Sequence, residues 1–176
     1  MIVKEDKIIG EGYHQQYGGP HAEVEAINNV KNQDDLLTST IYVNLEPCSH
    51  HGKTPPCADL IISKRIPRVV IGMQDPFAQV NGEGIRKLKS AGIEVIAGIE
   101  EGACRELNKR FITFHEKKRP YIILKWAETA DKKAGLPDRE IRISNEQTRL
   151  LAHHWRHEEQ AILVGAGTVL CDNPNL

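Results

Sequence analysis

The sequence predicts an α/β protein, a sheet covered by helices on both faces in three layers. Three observations point there. Short runs rich in β-branched residues, such as 39–45 and 68–73, alternate with segments whose apolar residues recur at helical spacing, such as 21–30 and 84–91. Gly and Pro punctuate the junctions, as at Gly18-Gly19-Pro20 and Pro55-Pro56. Strands alternating with helices build layered sheets of this kind.

Taken in order, residues 1–4 read as a strand, Glu5-Asp6 as a turn and 7–13 as the return strand of a hairpin. A helix is expected over 21–30. Pro20 sits at its start, where a missing N–H costs nothing, and Ala22, Val24, Ala26, Ile27 and Val30 supply its apolar positions. His21 and Glu23 fall in its first turn and can both point past the helix end. Residues 39–45 read as a buried strand, with Cys48 just beyond it. Pro55-Pro56 opens a helix over 57–64, followed by a strand at 68–73, a helix at 84–91 stopped by Gly92, a strand at 94–98 and a closing helix over 101–115.

The charged, proline-containing stretch 115–120 reads as a linker. Beyond it a strand is expected at 121–126 and a loop at 134–140. A capping box with Ser144 as N-cap and Gln147 at the third helical position opens a helix to about residue 157. A buried strand at 161–164 and a turn at 165–168 complete the opening βαβ of a second domain. The expected division is 1–117 and 118–176. The hairpin at residue 1 has nothing before it to cover it, so the first domain is expected to lack an opening element. Residues 118–176 are too few for a complete nucleotide-binding domain.

A chain of 176 residues can bury a core without disulfides. Its 23 Lys and Arg against 24 Asp and Glu give a formal charge of −1. That excludes a general polyanion binder, because non-specific nucleic-acid affinity needs concentrated positive charge. Four cysteines read as metal ligands or free thiols rather than a disulfide framework. Cys104 and Cys171 are expected to act as small buried hydrophobes, and His153, His154 and His157 to lie on an exposed helix face. No apolar run approaches the ~20 residues that span a bilayer, and no leader precedes a cleavage site. The expected compartment is the cytoplasm, with no membrane partner.

The chemistry gathers in two segments, His21-Ala22-Glu23 and the run 47–57 that begins Pro47-Cys48 and ends Pro56-Cys57. One neutral imidazole and two thiolates fill three positions of a tetrahedral zinc ion and leave the fourth for water, the arrangement of a catalytic site. His-x-Glu followed by Pro-Cys and a second Cys is the zinc-deaminase pattern, with the Glu as proton shuttle rather than ligand. Glu23 would take a proton from the attacking water and deliver it to a ring nitrogen, then to departing ammonia. The second half departs from the usual spacing: eight residues, not two, separate Cys48 from Cys57. The insert must loop out beside the metal and carries His50, His51 and Lys53, with Lys53 a point charge suited to phosphate. His14 ends the hairpin strand on the same side. The bland reading, in which these residues form a structural zinc site or unrelated core, is weighed against the match of four residue types in order.

Several further segments accompany these motifs. Gly10-Glu11-Gly12-Tyr13-His14, Gly19 to Glu23, the run 47–57, Asp75-Pro76 and Asn81-Gly82-Glu83-Gly84 together resemble the bifunctional riboflavin-biosynthesis deaminase/reductase family. The long Cys-x₈-Cys spacing is specific to that branch. Farther on, Leu124-Lys125-Trp126-Ala127, Ser144-Asn145, Arg149, His153, Arg156 and 161–169 are similar to the start of its reductase domain. The resemblance implies a cytidine-deaminase-like α/β/α domain at 1–117, lacking its first helix, and an N-terminal fragment of an NADPH-dependent reductase domain at 118–176.

The implied reaction is zinc-dependent hydrolytic deamination of 2,5-diamino-6-ribosylamino-4(3H)-pyrimidinone 5′-phosphate. Zinc ligands carry over onto His21, Cys48 and Cys57, and the shuttle onto Glu23. Substrate contacts carry over onto His14, Lys53 and Asp75, with His50 a further candidate. NADPH belongs to the full-length reductase domain, and reductase activity is not expected from this chain alone. A small-molecule substrate, no nucleic acid and a homo-oligomer complete the expectation. The departures are the absent N-terminal helix and its Asn-Pro-x-Val-Gly strand, Phe77 where the family often has Asn, and an early end to the reductase part. The alternatives are a nucleoside or tRNA-base deaminase, or an inactive zinc-stabilised fragment.

Overall fold

The computed structural model describes residues 1–52, 54–77, 81–135 and 141–174. The chain divides into two compact units, Met1–Ile122 and Ile123–Leu176.

In the first unit, β1 (Ile2–Lys4) and β2 (Lys7–Gly10) form the expected hairpin, its return strand ending at Gly10 rather than at residue 13, so that His14 lies beyond the strand. Glu5 and Asp6 both take positive φ, 48° and 58°, the turn whose twist matches paired strands. Helix α1 (Ala22–Asn28) follows, then a 3₁₀ turn, Gln33–Thr38, capped by the Asn32 side chain on the Asp34 N–H. Strand β3 (Thr40–Leu45), helix α2 (Cys57–Ser63), strand β4 (Arg68–Met73), helix α3 (Glu83–Ser90) and strand β5 (Glu94–Ala97) complete the alternating part.

The sheet order is β2-β1-β3-β4-β5. β1 pairs antiparallel with β2 and β3, while β3, β4 and β5 run parallel. Ile41, Val69 and Ile71 point into a core closed by Ala26 and Ile27 of α1, Ala58 and Ile61 of α2 and Leu88 of α3. Alternate residues of a strand face opposite sides. Gly72, between Ile71 and Met73, therefore looks the other way, onto Cys104 of α4 (Glu101–Leu107). A Cβ at Gly72 would stand 2.2 Å from the Cys104 Sγ, so glycine there lets α4 approach. Three layers result.

Three sequence expectations are corrected here. β3 is not buried on both faces: Ile41 is buried, whereas Tyr42 and Asn44 on the opposite face are exposed. The closing helix is two helices, α4 and α5 (Lys109–Lys117), because Asn108 leaves helical geometry and turns its side-chain amide onto the Cys104 carbonyl at 2.9 Å. Cys104 is only half-buried.

In the second unit, α6 (Glu146–Glu158) and α7 (Ala166–Asp172) are the helices among the described residues. The N-cap of α6 is Asn145, whose Oδ1 accepts the Thr148 N–H at 2.8 Å. The expected Ser144–Gln147 box is thus displaced by one residue. The expected strands at 121–126 and 161–164 make no ladder among the described residues. A strand exists only by pairing, and Leu124 and Leu163 stand 78% and 99% exposed. The expected turn at 165–168 instead starts α7. The loop expected at 134–140 falls mostly outside the described residues. His153, His154 and His157 are exposed on α6, as expected. No helix among the described residues is long and apolar enough to cross a membrane.

Candidate active site

Both site segments come from the ends of elements that the core fixes. His21 is the N-cap of α1, with extended backbone at φ −74° and ψ 163°. Ala26 and Ile27 anchor the helix in the core. Cys48 follows the C-terminal end of β3, the edge where open α/β sheets place their sites. Cys57 is the first residue of α2, held by Ala58 and Ile61 beneath it.

The three side chains converge. The Nδ1 of His21 lies 3.5 Å from the Cys48 Sγ and 3.3 Å from the Cys57 Sγ. All three donor atoms lie within 4.8 Å of one another. Zn–S bonds of about 2.3 Å and Zn–N bonds of about 2.0–2.1 Å put tetrahedral ligand atoms roughly 3.6–3.8 Å apart. The separations therefore fit one shared ion, and one imidazole with two sulfurs is a zinc donor set. The backbone supports it: the Cys57 N–H donates to the Cys48 Sγ at 3.3 Å, and the Ala58 N–H to the Cys48 carbonyl at 3.1 Å.

The hydrogen bond from the Cys57 thiol is the chief cause that draws Cys48 down to about 5. The Cys57 backbone N–H and His21 assist, against burial. Giving that bond pushes Cys57 the other way, and its burial adds to the rise. One thiol of the pair thus ionises readily and the other is held by it; a coordinated ion removes both protons. Glu23 stands beside the same groups, and His21, Cys48 and Cys57 all act on its carboxyl. Burial raises its carboxyl above the usual range, and Cys48 adds to the rise. Its own backbone N–H, His21 and Cys57 oppose it.

A cleft of about 220 Å³ opens over His21 and Cys48, with His14, Tyr17, His50 and Thr54 among its walls. His14 stands edge-on to His21, ring centroids 5.5 Å apart, and its Nδ1 lies 2.9 Å from the Pro20 carbonyl. Lys53 lies outside the described residues. Asp75 is not among the residues lining the cleft. It is buried, and its Oδ1 accepts the Phe77 N–H at 2.8 Å. Burial raises its carboxyl. The Phe77 N–H, His115 and His50 act in the lowering direction, and Glu46 in the raising one.

Two residues escape the sequence reading. Glu46 is almost fully buried beside Pro47 and accepts three backbone N–H groups. Its signal is one carboxylate standing between an apolar strand and the Pro-Cys step. His115, read as linker, packs its ring 4.8 Å from Phe77 and 4.3 Å from Phe111. That is a tertiary contact with no local signature.

With this geometry in view, the chain compares with known proteins as follows. Residues 1–73 match the cytidine and deoxycytidylate deaminase zinc-binding region. By fold and site the first unit is therefore of the zinc-deaminase class. Residues 120–176 match the RibD C-terminal domain. The whole chain is 47% identical to the riboflavin biosynthesis protein RibD of Aquifex aeolicus, covering 49% of it. It is 42% identical to that of Escherichia coli, covering 48%. A solved diaminohydroxyphosphoribosylaminopyrimidine deaminase/5-amino-6-(5-phosphoribosylamino)uracil reductase from Thermotoga maritima superposes over 98% of this chain and 50% of its own, with a TM-score of 0.91 and 47% identity. Acinetobacter baumannii RibD gives a TM-score of 0.89 at 38% identity over the same share of this chain and 48% of its own. The chain belongs to the RibD family of riboflavin-biosynthesis proteins and spans about half the length of the curated relatives it matches.

Proposed function

We propose that the chain performs the deaminase step of the family: hydrolytic removal of the exocyclic amine of 2,5-diamino-6-ribosylamino-4(3H)-pyrimidinone 5′-phosphate. The products are ammonia and the corresponding 5-amino-6-ribosylamino-uracil phosphate. Residues 1–117 form the deaminase domain in this reading, and 118–176 belong to the reductase domain, which takes NADPH in its full form. The substrate is a small molecule, the compartment the cytoplasm, and nucleic acid is not a partner.

The observation that carries the reading is the convergence of His21 Nδ1, Cys48 Sγ and Cys57 Sγ, with the Glu23 carboxyl near enough to feel all three residues. His21, Cys48 and Cys57 would hold a zinc ion. When bound, that ion supplies the Lewis acidity that makes a water nucleophilic near neutral pH. Glu23 accepts a proton from the water as oxygen adds to the amine-bearing ring carbon. It passes that proton to the adjacent ring nitrogen and moves a second one to the amine, which leaves as ammonia while the C=O forms. A carboxyl whose proton affinity is raised by burial suits a group that must both accept and deliver. His14 and His50 on the cleft wall are positioned as polar contacts for the phosphoribosyl part. Lys53 and Asp75 stay in the proposal as phosphate and ring contacts.

The test is ammonia release from the phosphoribosyl pyrimidine and from cytidine, with and without chelator. Release from the first substrate alone, abolished by chelation and restored by zinc, is the expected result. Preference for cytidine would favour a nucleoside deaminase instead. No release by the zinc-loaded chain would reduce it to a zinc-stabilised scaffold.

A further inference from the structure

Glu46 is only 3% exposed and stands immediately before Pro47 and Cys48. Its carboxylate is committed to backbone: Oε2 accepts the N–H of Asp75 at 3.2 Å and of Gly82 at 2.9 Å, and Oε1 that of Ile85 at 3.1 Å. Its own N–H donates to the Met73 carbonyl at 3.0 Å. Four bonds thus tie the end of β3 to the end of β4, to the turn before α3 and to the first turn of α3. A buried carboxylate is costly unless its oxygens are bonded, and here three amides supply those bonds. The packing is tight as well. A Cβ at Gly84 would stand 2.1 Å from the Pro47 carbonyl oxygen and 3.2 Å from the Glu46 Oε1.

The contacts lead from this clamp to the rim of the cleft. Asp75 accepts the Phe77 N–H, the Phe77 ring meets the His50 ring with centroids 6.2 Å apart, and His50 lines the cleft. The metal donors are fixed by other means, namely the Cys57 and Ala58 N–H groups on Cys48 and the cap position of His21.

We propose that Glu46 is a positioning residue that seats substrate by holding Asp75 and Phe77 against the cleft rim. It neither holds zinc nor moves protons. The inference rests on the deaminase reading above and names how that site is kept in shape.

Glu46→Gln is nearly isosteric but replaces one acceptor oxygen with an NH₂ group, so at least one backbone donor faces a donor. On the zinc-loaded chain, three quantities are measured: zinc content, amide hydrogen exchange, and KM with kcat for ammonia release. Zinc content is expected to hold. Exchange at Asp75, Gly82 and Ile85 is expected to quicken roughly tenfold or more while Val69 and Ile71 stay protected, the scale of one lost charge-assisted hydrogen bond. KM is expected to rise roughly tenfold on the same scale, with kcat changed less. In an Asp75→Ala background the Gln substitution should add little, since both act through one chain of contacts. Glu46→Asp keeps the charge but withdraws it by one methylene. It should give the same pattern more weakly, and it decides the matter if the Gln variant does not fold. Unchanged exchange at the three amides, loss of zinc, a fall in kcat at constant KM, or additive losses with Asp75→Ala would each overturn the proposal. A wild-type chain that releases no ammonia defeats the deaminase reading alone, and the exchange data still decide the clamp.

Discussion

Glu23 and Asp75 both have their proton affinity raised chiefly by burial, yet the structure gives them different neighbours. Glu23 faces the two cysteines. Asp75 faces a backbone N–H and a second carboxylate. For Glu23 we expect that Glu23→Gln keeps zinc but lowers ammonia release by roughly 10²- to 10⁴-fold, the usual contribution of a positioned acid–base. Metal analysis beside steady-state rates checks it, and release at the wild-type rate would remove the shuttle role. For Asp75 the expectation concerns stability. The folded chain binds the Asp75 proton more tightly than the unfolded chain does. Folding stability is therefore lost as pH rises from the ordinary aspartate value near 3.8 through the raised one. Asp75→Asn keeps an oxygen for the Phe77 N–H and removes the titration. Its melting temperature should fall less than that of wild type across this window, and parallel curves would contradict the assignment.

At the level of elements, the site depends on helices that are short but well seated. Ile61 is fully buried in α2, four residues after Cys57. Ile61→Ala should cost about 2–5 kcal/mol by the usual cavity arithmetic, read from denaturant midpoints. Gly84→Ala tests the close approach of α3 to Pro47. With a Cβ 2.1 Å from a backbone oxygen, the strain should cost about 1–3 kcal/mol. The strands and helices of the first unit were legible because each carries its own period and its own break. Gly18-Gly19-Pro20 and Pro55-Pro56 mark the very turns that present His21 and Cys57. The break at Asn108 was not legible, since a side chain competing for the Cys104 carbonyl looks in sequence like any helical Asn. The order β2-β1-β3-β4-β5, with β1 inserted antiparallel beside β3, was not legible either, because pairing is a property of distant segments.

For the molecule as a whole, the two units differ in how much they bury. The first holds the core that runs from Ile2 to Ile93. In the second, among the described residues, Ala152 is the one buried apolar side chain, while Trp126, Leu163 and Leu170 stand open. Segments with little buried apolar contact open at low free energy. Amides of α6 and α7 should therefore exchange well before those of β3 and β4, and equal protection would contradict this. The same contrast accounts for the missing ladders at 121–126 and 161–164: their apolar pattern is real, but among the described residues no neighbour pairs with them. The donor set was readable from residue types and order alone. The supporting acceptor, Glu46, was not, because its three donors come from residues 75, 82 and 85.

The most direct test is X-ray absorption at the zinc edge of the chain loaded with one equivalent of zinc. We predict two sulfurs at about 2.3 Å and two nitrogen or oxygen neighbours at about 2.0–2.1 Å, with Cys48→Ala or Cys57→Ala each removing one sulfur. A shell with fewer or more than two sulfurs, or one that either substitution leaves unchanged, would contradict the account.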